Sequence, residues 1–295
     1  MARLLTEEGK AFIRKVCSDA TSTSLIAGTS PDRIRDASSN LYNADGHLPF
    51  CYPIQPPKIW TSHAKHNGAP ITNNQQLGEA LIDWFDKYGQ QFGLDVNIIA
   101  AQAFAESGYK IWNYPLTSTA SGINQFIMPT VYDMVINNSN FNQTEKDALT
   151  VGWSGSTTDP NTWGHNNLTL LSKRNRPFLH QNICDNPDIM IKAQFVYMKY
   201  ISDNYSKGIA SSTLFGYSRG QGLVKPSYST SVQKAAAYKP GSGYEMEGVN
   251  YVFRIFSLLG NKKYVKYGYF GYDELGMDKP FDSYQAEVAE TALRT

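Results

Sequence analysis

Asp95-Val96-Asn97-Ile98-Ile99-Ala100-Ala101-Gln102-Ala103-Phe104-Ala105-Glu106-Ser107-Gly108 is the stretch from which the rest of the chain is read. Val96 to Ala105 is apolar nearly all round, and such a helix lies in a core rather than on one. Asp95 stands where an N-cap is needed, and Gly108 is a natural helix terminator. The helix therefore delivers Glu106 to the point where apolar packing stops. Desolvation there, with the last helix carbonyls nearby, favours the neutral acid and predicts a raised pKa. A pKa raised by about two costs roughly 3 kcal/mol. A fold tolerates that mainly when a protonated carboxyl has work to do, such as giving a proton to a leaving oxygen. Position alone also suits an ordinary exposed glutamate just past a helix.

Outward from this stretch the periodicity stays helical. Leu77, Ala80, Leu81, Trp84, Phe85, Tyr88 and Phe92 recur at helical spacing, and Gly93 closes that helix. Ile189, Met190, Ala193, Val196, Tyr197, Tyr200 and Ile201 mark another from Asp188 to about Asn204. Val249, Val252, Phe253, Phe256 and Leu259 mark one from about Glu247 to Leu259. Residues 6–17 predict a short amphipathic helix, with Thr6 as N-cap and Phe12, Ile13 and Val16 on its apolar side. Strand-like alternation is nowhere convincing. The expected class is mostly α with long loops. Ser, Thr and Pro punctuation from Ser18 to about Thr72 predicts an irregular arm. The expected division is an N-terminal helix and arm over 1–72, a helical domain over 73–265 and a Tyr-rich tail over 266–295.

Composition narrows the chemistry. Lys and Arg number 27 against 26 Asp and Glu, so the chain lacks the basic balance of a nucleic-acid binder, and none is expected as a partner. Aromatic residues make up 13%, which supplies a core and amphipathic surface together. Cys17, Cys51 and Cys184 are odd in number and widely spaced, which argues against a disulfide framework or a zinc site. His63 and His66 could share a helix face, but as a solvated pair short of the ligands a metal needs. No metal and no cofactor are expected. Met1 to Glu8 places charge ahead of any apolar run, so no signal peptide is expected. No run of about 18 apolar residues occurs, so no membrane insertion is expected either.

Beyond Glu106 come Ser121-Gly122-Ile123-Asn124-Gln125-Phe126 and Met128-Pro129-Thr130, and later Phe215-Gly216-Tyr217-Ser218-Arg219-Gly220-Gln221-Gly222. In this order, over about residues 76–262, the chain resembles the soluble lytic transglycosylase family, within the goose-lysozyme-like group of peptidoglycan-cleaving enzymes. Asn124 and Ser218 depart from the family's Met and Asn, and an extra residue separates Gln125 from Met128-Pro129. The resemblance implies a lysozyme-like helical domain with Glu106 as sole acid/base. It implies that Gln125 lines a glycan cleft and that Tyr217 bonds to or packs beside Glu106. Ser107 would support the glutamate or the reacting sugar, Gly122 would let backbone approach a ligand, and Tyr109 and Trp112 would help wall the cleft. An amide or phenol suits those roles chemically. Gln125 as a loop-capping amide and Tyr217 as a core ring remain open.

Glycosidases usually need two carboxylates. From Ser107 to Tyr132 there is no Asp or Glu. That favours a one-carboxyl mechanism giving a 1,6-anhydro product. A hydrolase using Asp133, Asp185 or Asp188, or a wall-binding component without turnover, are the alternatives. Expected partners are peptidoglycan strands and a phage tail, baseplate or injection apparatus. The protein is expected to be made in the cytoplasm, carried on a virion and active in the host periplasm or cell wall.

Overall fold

The computed structural model describes residues 4–29, 59–113, 120–153, 178–208, 210–224, 248, 251–252, 254–256 and 258–259. Among these the fold is mostly helical with only short antiparallel strands. The helices are α1 (Glu7–Asp19), α2 (Asn74–Phe92), α3 (Val96–Ser107), α4 (Met128–Val131) and α5 (Gln143–Thr150). They continue with α6 (178–185), α7 (Pro187–Ile201), α8 (Ala210–Arg219) and α9, the helical residues described between 248 and 259. One π-helical turn, Tyr132–Ile136, follows α4 and another, Ser202–Ser206, follows α7.

The chain divides into two compact units. The first gathers α1, the segment Gly78–Gly108 and the chain from Ile191 onward; the second gathers 20–77 and Tyr109–Met190. Residues 1–19 thus fall in the first unit and residues 20–72 in the second. α1 buries Phe12, Ile13, Val16 and Cys17, and Phe12 meets Phe104 edge-on with ring centroids 5.0 Å apart. An apolar stripe of that size needs a partner surface, so the helix belongs to the first unit. Residues 30–58 and 266–295 lie outside the described part, as do Cys51, Val249 and Phe253.

In the first unit, polar side chains join the starts of two helices. Asp95 caps α3 by accepting from the Asn97 backbone N–H at 2.9 Å. Asn97 is itself buried; its Oδ1 accepts from the Thr6 backbone N–H at 2.9 Å and its Nδ2 donates to the Leu4 carbonyl at 2.9 Å. Thr6 in turn caps α1, accepting from Gly9 N–H at 3.0 Å. At the far end Gly108 ends α3 in the left-handed region, its N–H donating to the Phe104 carbonyl at 2.8 Å.

The second unit holds the strands that the sequence did not suggest. β1 (Ala27–Thr29) pairs antiparallel with β2 (Ile59–Thr61), Gly28 opposite Trp60. Gly28 is needed there, since a Cβ would fall 2.1 Å from the Trp112 ring. β3 (Lys65–His66) and β4 (Ala69–Pro70) form a hairpin across Asn67 and Gly68, both at positive φ, as an Asn-Gly turn favours. His66 thus lies on a strand rather than sharing a helix face with His63, whose Nδ1 sits 3.2 Å from Asp185 Oδ1. The stretch 131–187 contains α5, fixed by a capping box between Asn142 and Glu145, and α6.

Candidate active site

Glu106 lies in the last turn of α3, and four positions earlier on the same face lies Gln102. Glu106 is half-buried as a residue, and its carboxyl is enclosed closely enough for burial to dominate its titration. Desolvation pushes its pKa up to about 7, against the hydrogen bond from Tyr251 and the positive charges of Arg254 and Arg219, which pull it down. A carboxyl in that position exchanges its proton near neutrality, the condition for serving as acid and then base.

Its closest partner is Tyr251 on α9, whose hydroxyl donates to Glu106 Oε1. The Tyr251 oxygen accepts from Gln102 Nε2 at 3.1 Å. Gln102 Oε1 accepts from Gln194 Nε2 of α7 at 2.9 Å, and the same Nε2 lies 3.3 Å from the Ile99 carbonyl. Gln102 and Gln194 are fully buried, so this amide pair is an interior feature. Arg254 Nη2 donates to the Ala105 carbonyl at 2.6 Å and its guanidinium lies 5.9 Å from the Tyr251 ring centroid. It thereby satisfies one of the open carbonyls at the end of α3.

Tyr217, near the end of α8, stacks parallel to Tyr251 with centroids 6.4 Å apart and tilts against Tyr197 at 5.4 Å. Burial, and then the Glu106 charge, push both Tyr217 and Tyr251 well above the usual phenol range. Gly216 and Gly220 shape this corner. A Cβ on Gly216 would meet Val224 at 2.6 Å, and Gly220 turns the chain at φ 93 into the short helical turn Gln221–Leu223. Gln221 Oε1 accepts from the Tyr197 hydroxyl at 2.8 Å.

The remaining residues singled out in the sequence hold other places. Ser107 is buried and turns its hydroxyl back to the Ala103 carbonyl at 3.3 Å. Tyr109, Gly122 and Gln125 belong to the second unit. Tyr109 is fully buried and left-handed at φ 63, so its ring has no surface to offer a ligand. Gly122, at φ 72, admits Ile183 rather than a ligand, since a Cβ would stand 2.4 Å from the Ile183 Cγ2. Gln125 is half-buried and donates from Nε2 to the carbonyls of Gly122 at 2.7 Å and Asn113 at 3.3 Å, the loop-capping geometry. Asn124 is fully buried and donates to the Met190 carbonyl at 2.6 Å. Half-buried Trp112 donates to the Ser24 carbonyl at 2.8 Å.

The second-unit acids are differently engaged. Asp185 accepts from the His63 backbone at 2.7 Å and from Gln181 at 2.9 Å. Asp133 lies on the first π-helical turn, its carboxyl raised by partial burial. Cys17 and Cys184 are buried thiols, pushed up to about 12 by desolvation. Among the described residues no group of three or more His, Cys, Asp or Glu could hold a metal ion.

The sequence reading missed Tyr251, Gln102, Gln194 and Arg254. Two amides inside otherwise apolar helices are a signal, because buried amides need partners. A phenol with an arginine three positions on, at Tyr251 and Arg254, is another. Comparison of the chain with protein-family models, with curated proteins and with solved structures returned no match.

Proposed function

We propose that this protein cleaves peptidoglycan glycan strands at the β-1,4 bond between N-acetylmuramic acid and N-acetylglucosamine, with Glu106 as the single acid/base on a lysozyme-like helical framework. The observation that carries this reading is the state of Glu106: a carboxyl on a half-buried residue at the end of a buried helix, bonded by Tyr251 and brought to about 7. Such a group gives its proton to the glycosidic oxygen as the bond to the anomeric carbon breaks, and the substrate's N-acetyl group supports the oxocarbenium-like centre. The resulting carboxylate takes the proton of the sugar 6-hydroxyl as that oxygen closes on the anomeric carbon, which leaves a 1,6-anhydro end. The charges felt by Glu106 among the described residues, Arg254 and Arg219, are both cationic, and that supports a mechanism with one carboxylate. Carriage to the wall on a phage or injection particle belongs to the same proposal.

Purified protein incubated with sacculi, followed by mass spectrometry of the released muropeptides, tests it. Anhydro ends are expected from wild type and none from Glu106→Gln. Hydrated reducing ends as the main product would replace the anhydro mechanism with hydrolysis. Equal release by the variant would remove the enzyme reading altogether.

A further inference from the structure

The chain of bonds that reaches Glu106 has a direction, and a backbone carbonyl sets it. A carbonyl oxygen accepts and never donates. The Ile99 carbonyl, 3.3 Å from the terminal amide of Gln194, therefore favours the Nε2 edge of that amide, since a flipped amide would set oxygen against oxygen, whereas the orientation present leaves the Gln194 Oε1 without a hydrogen-bond partner among the described residues. With Nε2 so placed, Gln194 donates to Gln102 at 2.9 Å, and Gln102 must present its Oε1 there. Gln102 then has only Nε2 left for Tyr251, at 3.1 Å. The Tyr251 oxygen is occupied as an acceptor, and its single hydrogen goes to Glu106 Oε1.

The opposite direction has a different chemical outcome. If Gln102 faced Tyr251 with its oxygen, the phenol would donate to Gln102, and Glu106 could hold Tyr251 only by donating its own proton. The proton would then be committed to the protein. We infer that Gln102 and Gln194 are positioning residues that fix this direction, so that Tyr251 bonds Glu106 only as a donor at Oε1 and the acid proton is held on Oε2, free for a substrate oxygen. This rests on Glu106 being the acid of the proposed reaction. Neither amide touches substrate in this account; both act through Tyr251. The buried setting makes the chain effective, because bonds in series polarise one another where water does not compete.

The other groups facing Glu106 do not set the direction. Arg219 on α8 and Arg254 on α9 act on it through charge, while Tyr217 is a neutral phenol whose own ionisation the Glu106 charge opposes. The arginines favour the ionised carboxyl in either arrangement. Tyr217, stacked flat on Tyr251, supports that ring without entering the chain.

The test is the titration of Glu106, followed by carboxyl 13C NMR on full-length protein labelled at glutamate, with the resonance assigned by its loss in Glu106→Gln. Tyr251→Phe removes the donor, and the midpoint is expected to rise by about one pH unit. Gln102→Met, which keeps length and volume, frees the phenol to turn away, and a rise in the same direction is expected. Placed on top of Tyr251→Phe, it is expected to add nothing. Gln194→Met is expected to give a smaller rise of the same sign. An unmoved midpoint in Gln102→Met overturns the inference, and so does an equal rise with and without Tyr251. An unmoved midpoint in Gln194→Met alone removes Gln194 from the chain. No substrate is present, so failure of the wall-cleaving reading would show in the muropeptide assay and not here.

Discussion

At the scale of the residue, Glu106 is held between influences of opposite sign. Desolvation raises its pKa to about 7, from an ordinary 4.5, while a phenol donor and two guanidinium groups act to lower it. The sign of the linkage follows. Between 4.5 and 7 the folded chain binds the proton and the unfolded chain has lost it, so stability falls as pH rises through that window. Above pH 7 the full cost is present, up to about 3 kcal/mol and reduced by the partial exposure of the residue. Glu106→Gln never ionises. It is expected to resist urea better than wild type at pH 8 and about equally at pH 4. No gain at pH 8 would mean that the carboxyl is not desolvated as described. In wild type, activity that depends on the protonated form is expected to decline as pH rises through about 7.

At the scale of the element, α3 is specified locally and completed remotely. Its N-cap, its largely apolar middle and its glycine stop can all be read from fourteen consecutive residues, and the structure places them as Asp95, Val96–Ser107 and Gly108. Asp95→Ala is expected to lower stability by about 1–2 kcal/mol, read as a shifted urea midpoint with unchanged slope. The loss stands toward the upper end because Asp95 is fully buried and also accepts from Asn97 Nδ2 at 3.1 Å. α1, α2, α7 and the helical character around Val252 were legible for the same reason, since a 3.6-residue stripe is a local pattern. Tyr251 was not legible as a partner because 145 residues separate it from Glu106, and spacing carries no information at that range. The strands escaped notice for another reason. Two or three residues are too few to show alternation, and only Asn67-Gly68 marked the β3–β4 turn. Gln125 illustrates the limit of motif reading, because one amide serves a ligand or its own loop equally well until its hydrogen bonds are seen.

At the scale of the whole molecule, the two units are not successive lengths of chain. The first is built from three separate segments and the second from two, with crossings after residues 19, 77, 108 and 190. Deleting residues 1–19 therefore removes part of the first unit's interior rather than an appendage. Phe12, Ile13, Val16 and Cys17 are at most 4% exposed, and at roughly 2 kcal/mol for each large side chain their loss consumes much of a typical folding margin. The truncated chain is expected to lose far more helical circular dichroism than one helix accounts for. Retention of the remaining signal would show α1 to be dispensable to the fold. The same interleaving also orders events in time. Glu106 is made early, but Arg219 is made 113 residues later, and Tyr251 and Arg254 are made 145 and 148 residues later. On the ribosome, an emerging chain that has passed Glu106 carries an ordinary surface carboxylate there. It becomes a neutral-range acid only once the first unit has closed around it, and its hydrogen-bond partner Tyr251 lies on chain made 145 residues after it.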